Sequence, residues 1–120
     1  MQIYQLDIEY YETEKGQRPF KAWLEALADV AGRAKMRVRL DRARLGNLGD
    51  HKYIGHGVWE MRIDYGPGYR IYFAREGYSL ILLPAGGEKS SQSKDIKLAQ
   101  KCWVDYLWRK KNGETDKLPG

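Results

Sequence analysis

Residues 58–73, with the sequence V-W-E-M-R-I-D-Y-G-P-G-Y-R-I-Y-F, constrain the fold of this chain most, because they predict two strands joined by a Gly-Pro-Gly turn. Polar and apolar side chains alternate along both arms, as expected for strands with one buried face. Only a loop with an odd number of residues brings the two polar sets onto the same face of the hairpin. That polar face comprises Glu60, Arg62, Asp64, Arg70 and Tyr72.

A three-residue loop at 66–68 predicts the register, in which Tyr65 faces Tyr69, Asp64 faces Arg70 and Arg62 faces Tyr72. The polar face then has two interpretations. Its residues are cross-strand ion pairs on a solvated sheet, each adding about 0.2–1 kcal/mol, or they form a phosphate-binding site, since guanidinium groups match phosphate oxygens. The pattern alone leaves both open.

Composition favours one soluble domain, because 42% of the 120 residues are apolar and 31% are charged. The sequence contains no run of about 18 apolar residues and no signal peptide, so we expect a cytoplasmic protein with no membrane partner. Cys102 is the single cysteine, and His51 and His56 lack metal-ligand spacing, so we expect no internal disulfide, metal or other cofactor. The formal net charge of +5 predicts a polyanionic or acidic partner.

Two helices are predicted between a first strand at residues 3–11 and the hairpin. The first begins at Pro19, and Gly32 separates it from a second helix at residues 33–47. The second helix has two apolar stripes, which predict packing on both the sheet and the neighbouring helix. These stripes are Ala34, Val38 and Leu45 on one side and Met36, Leu40 and Ala43 on the other. The basic residues between them are either a solvated face or a surface that attracts a polyanion.

After the hairpin, residues 79–83 form an uninterrupted apolar run, which is typical of a central strand covered on both faces. A polar loop at 86–91 carries Lys89. Ser93 is the expected cap of a last helix that ends at Asn112 and Gly113, before a disordered tail. The predicted fold is α+β, in the order β-α-α-β-β-β, with a twisted, mainly antiparallel sheet on a helical hairpin and a C-terminal helix. It comprises one domain at 1–111 and a tail at 112–120.

Two stretches resemble a known family, G-H-G-V-W-E-M-R-I-D-Y-G-P-G-Y-R-I-Y-F and L-I-L-L-P-A-G-G-E-K-S-S-Q-S-K-D-I-K-L-A. The sequence resembles the RelE/ParE toxin superfamily, in its phage Gp49-like, HigB-type branch of addiction module killer proteins. The resemblance extends over nearly the whole chain, to about residue 109. It implies a RelE-like fold and a toxin inactivated by a cognate antitoxin, expected to be a helix-turn-helix, HigA-like protein.

The resemblance further implies a ribosome-dependent mRNA endoribonuclease. In RelE-type chemistry a ribose 2′-hydroxyl attacks the adjacent phosphate without a metal and leaves a 2′,3′-cyclic phosphate and a 5′-hydroxyl. The family's sheet arginines correspond to Arg62 and Arg70, and its basic residue after the last strand corresponds to Lys89. We expect the arginines to stabilise the phosphorane and Lys89, or its rival Glu60, to transfer a proton, with Tyr72 beside them. The expected RNA-binding residues are Lys52, Trp59, Arg37, Arg44 and Lys94.

Two alternative functions remain open. The sequence has no RNase-type histidine pair in its predicted strands, and ParE-like members of the superfamily inhibit DNA gyrase without nuclease activity. The chain could also be a basic module that binds nucleic acid or protein through its charge, which predicts salt-sensitive binding without a product.

Overall fold

The computed structural model describes the backbone of residues 5–84 and 89–117, with side chains for 5–84 and 90–113. The elements are β1 (Asp7–Tyr10), α1 (Pro19–Ala26), α2 (Val30–Arg44), β2 (His51–Gly55), β3 (Val58–Ile63), β4 (Tyr69–Glu76), β5 (Ser79–Leu82) and α3 (Gln92–Lys117). The predicted α+β class and the C-terminal helix are confirmed. None of the helices in the described ranges is long and apolar enough to span a membrane.

The five strands form one mixed sheet in the order β1-β5-β4-β3-β2. Only β1 and β5 pair in parallel, so the prediction of a mainly antiparallel sheet is confirmed. β5 lies inside the sheet and its Leu80, Ile81 and Leu82 are fully buried, as its apolar run predicted. β2 was not predicted, because its first three residues are exposed and show no apolar alternation.

The register of the β3–β4 hairpin differs from the predicted one by two residues. Ile63 pairs with Tyr69, Arg62 with Arg70 and Glu60 with Tyr72, so Asp64 does not face Arg70. The connection is a five-residue loop, within which the N–H of Gly68 donates to the carbonyl of Tyr65. Because five is also odd, the polar and apolar faces are as predicted even though the pairs are not.

Each face of the sheet is covered by a separate apolar core. The first core packs Phe20 of α1 and Met36 and Leu40 of α2 against Met61 and Ile71 of the hairpin. The second packs α3 on the opposite face and comprises Tyr11, Val58, Tyr72, Ala74, Ile81, Leu83, Ala99 and Trp103. The polar face of the hairpin is therefore not a free solvated surface, because α3 lies over part of it.

The break between α1 and α2 lies before Gly32, not at it. Leu27 caps α1, and the side chain of Asp29 accepts a hydrogen bond from the N–H of Gly32, which makes Asp29 the N-cap of α2. Gly32 itself is buried inside the helix, where a Cβ would lie 2.8 Å from the ring of Tyr69. Glycine is required there by close packing rather than by a helix break.

Only one of the two predicted stripes of α2 is buried. Met36, Leu40 and Ala43 face the core, whereas Val38 and Leu45 are exposed and α1 does not cover them. The prediction that both stripes pack within the chain is therefore wrong.

α3 begins at Gln92, one residue before the predicted cap Ser93, and the hydroxyl of Ser91 donates to Asp95. Its backbone continues past Asn112 and Gly113 to Lys117, so the predicted helix end is wrong. The prediction of a disordered tail stays a prediction for residues 118–120, which lie outside the described ranges. The first two residues of the first predicted strand, 3 and 4, also lie outside them.

Candidate functional site

Arg62 of β3 and Arg70 of β4 lie directly opposite one another on the sheet face that α3 partly covers. Opposite residues in an antiparallel pair have Cβ atoms about 4.5–5.5 Å apart, and like charges at such a pair destabilise a sheet. The backbone ladder thus places these two arginines side by side on one face of the sheet. Each has a carboxylate partner, and the two partners differ in burial.

Arg70 is paired with the fully buried carboxylate of Glu60, with 3.4 Å between Arg70 Nε and Glu60 Oε2. The same oxygen accepts a 2.9 Å hydrogen bond from the side-chain amide of Gln92, at the start of α3. Only 12% of the Arg70 side chain is exposed. Because a buried carboxylate is held in one position by its partners, Glu60 fixes the guanidinium of Arg70.

Tyr72 lies opposite Glu60 and is fully buried. Burial raises the pKa of its phenol, and the negative charge of Glu60 raises it further. Within the described ranges, the Tyr72 hydroxyl, Glu60 Oε1 and the Nε atoms of Arg62 and Arg70 are buried without a hydrogen-bond partner. Such buried polar atoms are uncommon and cost free energy, which makes this part of the sheet a candidate site.

Arg62 is paired with the exposed carboxylate of Asp50, with 2.9 Å between Nη2 and Oδ1. This hydrogen bond raises the pKa of Arg62. Arg39 of α2 connects the backbones of this pair, because its guanidinium group donates hydrogen bonds to the carbonyls of Arg62 and Asp50. Since 41% of the Arg62 side chain is exposed, Arg62 is the accessible member of the arginine pair.

The two arginines line an open cleft of about 380 Å³ at the end of the hairpin. Its other lining residues are Asp50, Ile63, Asp64, Gly68 and Tyr69. A phosphate group in this cleft would accept hydrogen bonds from guanidinium donors, which match its oxygens in geometry and charge. The arrangement can therefore bind an anion and stabilise negative charge that develops on it.

The structure brings only part of the predicted site together. Lys52 pairs with Glu60 across β2 and β3, so it shares the face of the arginine pair. Lys94 is exposed in the first turn of α3, which covers the same face. The backbone of Lys89 opens the 3₁₀ helix Lys89–Ser91 before α3, and its side chain lies outside the described part of the chain.

Three predicted RNA-binding residues do not belong to this cleft. Trp59 points to the opposite face of the sheet, where its ring packs against those of Tyr53 and His51. Arg37 and Arg44 lie on α2, which packs on that opposite face, and both are exposed. The parity of the strand and the packing of α2 place these three residues away from the cleft, and their part in RNA binding stays a prediction.

Sequence reasoning missed the residues that hold the arginines in position, Asp50, Arg39 and Gln92. It assigned Asp64 as the partner of Arg70, whereas that partner is Glu60. Asp50 directly precedes β2 and Gln92 is the first residue of α3, and no local pattern in the sequence connects either residue to the hairpin. Within the described ranges, no group of three or more His, Cys, Asp or Glu side chains is placed to hold a metal ion.

Fold and site together define a small α+β protein in which one mixed sheet presents a pair of facing arginines at an open cleft. No family model matches the sequence. An uncharacterized protein of Haemophilus influenzae is 43% identical over 81 residues, which cover 68% of this chain and 82% of that protein. The chain belongs to the same family as this Haemophilus influenzae protein.

Proposed function

We propose that this protein is a RelE/HigB-type toxin of a type II toxin-antitoxin pair and that it cleaves mRNA on the ribosome. The observation that supports this function best is the direct opposition of Arg62 and Arg70. Both arginines line one open cleft, where guanidinium groups can donate hydrogen bonds to the oxygens of a bound anion. The phosphate of RNA is such an anion, and the formal net charge of +5 favours RNA binding over the whole surface.

In this proposal the scissile phosphate binds in the cleft between the two arginines. Arg62 contacts it from the exposed side and Arg70 from the buried side. As the 2′-hydroxyl attacks phosphorus, negative charge grows on the non-bridging oxygens, and both guanidinium groups stabilise it. Glu60 does not touch the RNA, because it is fully buried. Its part is to keep Arg70 in position, together with Gln92.

The reaction also needs one group that accepts the proton of the 2′-hydroxyl and one that donates a proton to the leaving 5′-oxygen. Burial removes Glu60 and Tyr72 from direct contact with the substrate in this conformation. Lys89 stays our proposed proton-transfer residue, because its backbone lies at the beginning of the segment that leads into α3. An amine can act as a base near neutral pH only when its pKa lies below the usual value of about 10.4.

The burial of Glu60 and Tyr72 also favours a second candidate function, inhibition of DNA gyrase. Glu60 is the rival proton-transfer residue predicted on the hairpin and Tyr72 lies beside it, and both are fully buried. A ParE-like toxin that inhibits DNA gyrase needs no such groups. In that case the arginine pair would bind an acidic surface of the target rather than a reacting phosphate.

The test is primer extension on a defined mRNA during translation in a purified system, comparing the wild type with the Arg62→Ala/Arg70→Ala double variant. We expect cuts within codons that require ribosomes and that the double variant does not make. Circular dichroism of both proteins shows whether folding is matched. Intact mRNA with the wild-type protein, together with loss of gyrase supercoiling, would instead establish the second function.

The proposed partner of the toxin is a helix-turn-helix, HigA-like antitoxin. The basic charge of the chain supports a partner with an acidic segment. Co-purification with the product of the neighbouring gene tests this proposal, and failure of the two proteins to associate would remove it.

A further inference from the structure

Three aromatic side chains pack against one another at the outer edge of the sheet. The ring of Trp59, on β3, contacts the ring of Tyr53, with 5.1 Å between the two centroids, and the ring of His51, with 5.6 Å between the centroids. Tyr53 and His51 belong to β2, the edge strand next to β3. These three side chains are called the aromatic cluster below.

The aromatic cluster is open to solvent, although one of its members belongs partly to the core. Trp59 is half-buried and packs against the first core of the protein. Tyr53 is 54% exposed, and His51 is also exposed. An exposed tyrosine that rests on a fixed indole leaves aromatic surface available to a planar ligand, which can stack on it.

Hydrogen bonds to the backbone hold the two exposed rings in position. The hydroxyl of Tyr53 accepts a 2.9 Å hydrogen bond from the N–H of Gly57, in the turn between β2 and β3. Nδ1 of His51 donates a 2.7 Å hydrogen bond to the carbonyl of Gly49. A ligand that packs on these rings would therefore immobilise little that is not already fixed, and this lowers the entropic cost of binding.

The aromatic cluster adjoins the arginine cleft along β2. Asp50 lines the cleft and is the residue directly before His51. At about 3.3 Å per residue, Tyr53 lies about 10 Å along the strand from Asp50. The cleft also reaches the face of the sheet that carries the cluster, because its lining residue Ile63 has the same parity on β3 as Trp59. A strand of RNA that leaves the cleft along this edge therefore meets the aromatic cluster.

The edge strand β2 offers different chemistry on its two faces. Lys52 is exposed and lies opposite Glu60, on the face of the arginine pair. His51 and Tyr53 lie on the other face, because successive side chains of a strand alternate. Within the described ranges, no further strand pairs with the outer side of β2. A polymer with a charged backbone and planar side groups can thus contact a cation and aromatic rings around this one edge.

We propose that the aromatic cluster binds an unpaired nucleobase of the RNA strand whose phosphate lies in the arginine cleft, an inference that rests on the proposed function. The RNA backbone follows the edge of β2 past Lys52, and the base of a flanking nucleotide stacks on Tyr53. Aromatic side chains are the usual contacts of unpaired RNA bases, and stacking accepts any base because every base has a π face.

The charges beside the aromatic cluster favour a nucleotide over an apolar peptide segment. Each nucleotide carries a phosphate next to its base, and Lys52 and the arginine cleft provide the cations that attract it. The proposal also gives Trp59 a part in RNA binding without placing it in the cleft, because Trp59 supports the ring on which the flanking base stacks.

The test uses the full chain and a short oligonucleotide of 2′-O-methyl RNA, which lacks the attacking hydroxyl and is therefore not cleaved. The fluorescent base 2-aminopurine, whose emission is quenched when it stacks, replaces each base of the oligonucleotide in turn. Titration with the protein measures both the affinity and the quenching at each position. We expect strong quenching at one position and weak quenching at the others, because one aromatic cluster adjoins the cleft.

Matched variants identify the ring on which the base stacks. Tyr53→Leu should abolish the strong quenching and weaken binding by about 5- to 150-fold, which corresponds to about 1–3 kcal/mol for the loss of one stacked base. Tyr53→Phe keeps the ring and should retain the quenching. Tyr78→Leu is the control, because Tyr78 is 62% exposed and lies between β4 and β5, and this variant should bind like the wild type. Circular dichroism shows that the variants are folded.

Two results would overturn the proposal: equal quenching by the wild type and Tyr53→Leu, or equal loss of affinity in Tyr53→Leu and Tyr78→Leu. The ribosomal primer-extension assay separates this inference from the proposed function. Quenching that requires Tyr53, without any cuts in mRNA, would support the aromatic cluster and refute the nuclease. Cuts by the wild type, without quenching at any position, would refute the aromatic cluster alone.

Discussion

The side-chain amide of Gln92 donates a 2.9 Å hydrogen bond to the carboxylate of Glu60, and this bond joins the first residue of α3 to the centre of the hairpin. The oxygen that accepts it, Oε2, is also the one nearest Arg70. A residue after the last strand thereby helps to determine the position of an arginine on β4. The candidate site consequently depends on the docking of α3 as well as on the sheet.

Removing the charge partner of Arg70 should destabilise the protein. In Glu60→Ala the guanidinium stays largely buried without a carboxylate, and breaking a buried ion pair from one side costs about 3–5 kcal/mol. Urea denaturation followed by circular dichroism measures the loss. The control is Asp50→Ala, which removes the carboxylate partner of the exposed Arg62 and should change stability far less. Equal losses in the two variants would show that Glu60 has no special role.

Single substitutions of the arginine pair should reduce RNA cleavage. Arg62→Ala and Arg70→Ala each remove one group that stabilises the charged phosphorane, and loss of one such donor lowers the rate by about 10²–10³-fold. Single-turnover cleavage on stalled ribosomes measures the rate. Arg37→Ala is the matched control, because it removes the same charge from α2 on the far side of the sheet. Undiminished cleavage by well-folded Arg62→Ala and Arg70→Ala would contradict the proposed site.

Packing of Gly32 against Tyr69 can be tested with a pair of glycine substitutions. In Gly32→Ala the new Cβ would lie 2.8 Å from the Tyr69 ring and 2.7 Å from Asp29 Oδ2, and this crowding should cost about 1–3 kcal/mol. Gly113→Ala places a methyl group where nothing lies within 4 Å, so it should stabilise α3 by up to about 1 kcal/mol. Relative to the wild type, the urea midpoint should fall in Gly32→Ala and rise in Gly113→Ala. Stabilisation by Gly32→Ala would refute the close contact.

Acid should weaken the connection between α2 and the hairpin. The pKa of Asp29 is lowered, first by the hydrogen bond from the N–H of Gly32 and then by the hydroxyl of Tyr69. Because the folded-state pKa lies below the unfolded-state value, the contribution of Asp29 is present above the unfolded-state pKa and is lost as pH falls through the folded-state pKa. The stability difference between the wild type and Asp29→Asn should therefore shrink between pH 6 and pH 3.

The same pH comparison has an internal check. Asp105 also has a lowered pKa, owing first to its hydrogen bond with Tyr11, but it belongs to the interface of α3. In the Asp29→Asn background, the remaining acid sensitivity should decrease further when Asp105→Asn is added. A difference between wild type and Asp29→Asn that stays constant with pH would contradict the role assigned to the Asp29 charge.

The alternation of residues 58–73 determined the hairpin and assigned its polar and apolar residues to the correct faces. This is a local property, because side chains of a strand point to alternate faces whatever lies around them. The apolar run at 79–83 likewise predicted an interior strand. Periodicity also located the last helix and the buried side of α2, where Met36 and Leu40 face the core.

Only the tertiary structure decided which residues contact one another. The register of the β3–β4 hairpin depended on the length of its loop, which is five residues at 64–68. A three-residue loop would have put the same side chains on the same faces, so the alternation of the sequence could not distinguish the two registers. The partner of Arg70 lies ten positions before it and is held by Gln92, from a helix on the other side of a polar loop. The exposure of Val38 depended on how α1 docks. Such long-range contacts depend on the packing and burial of the whole chain. The sequence by itself determined only on which face of its strand or helix each side chain lies.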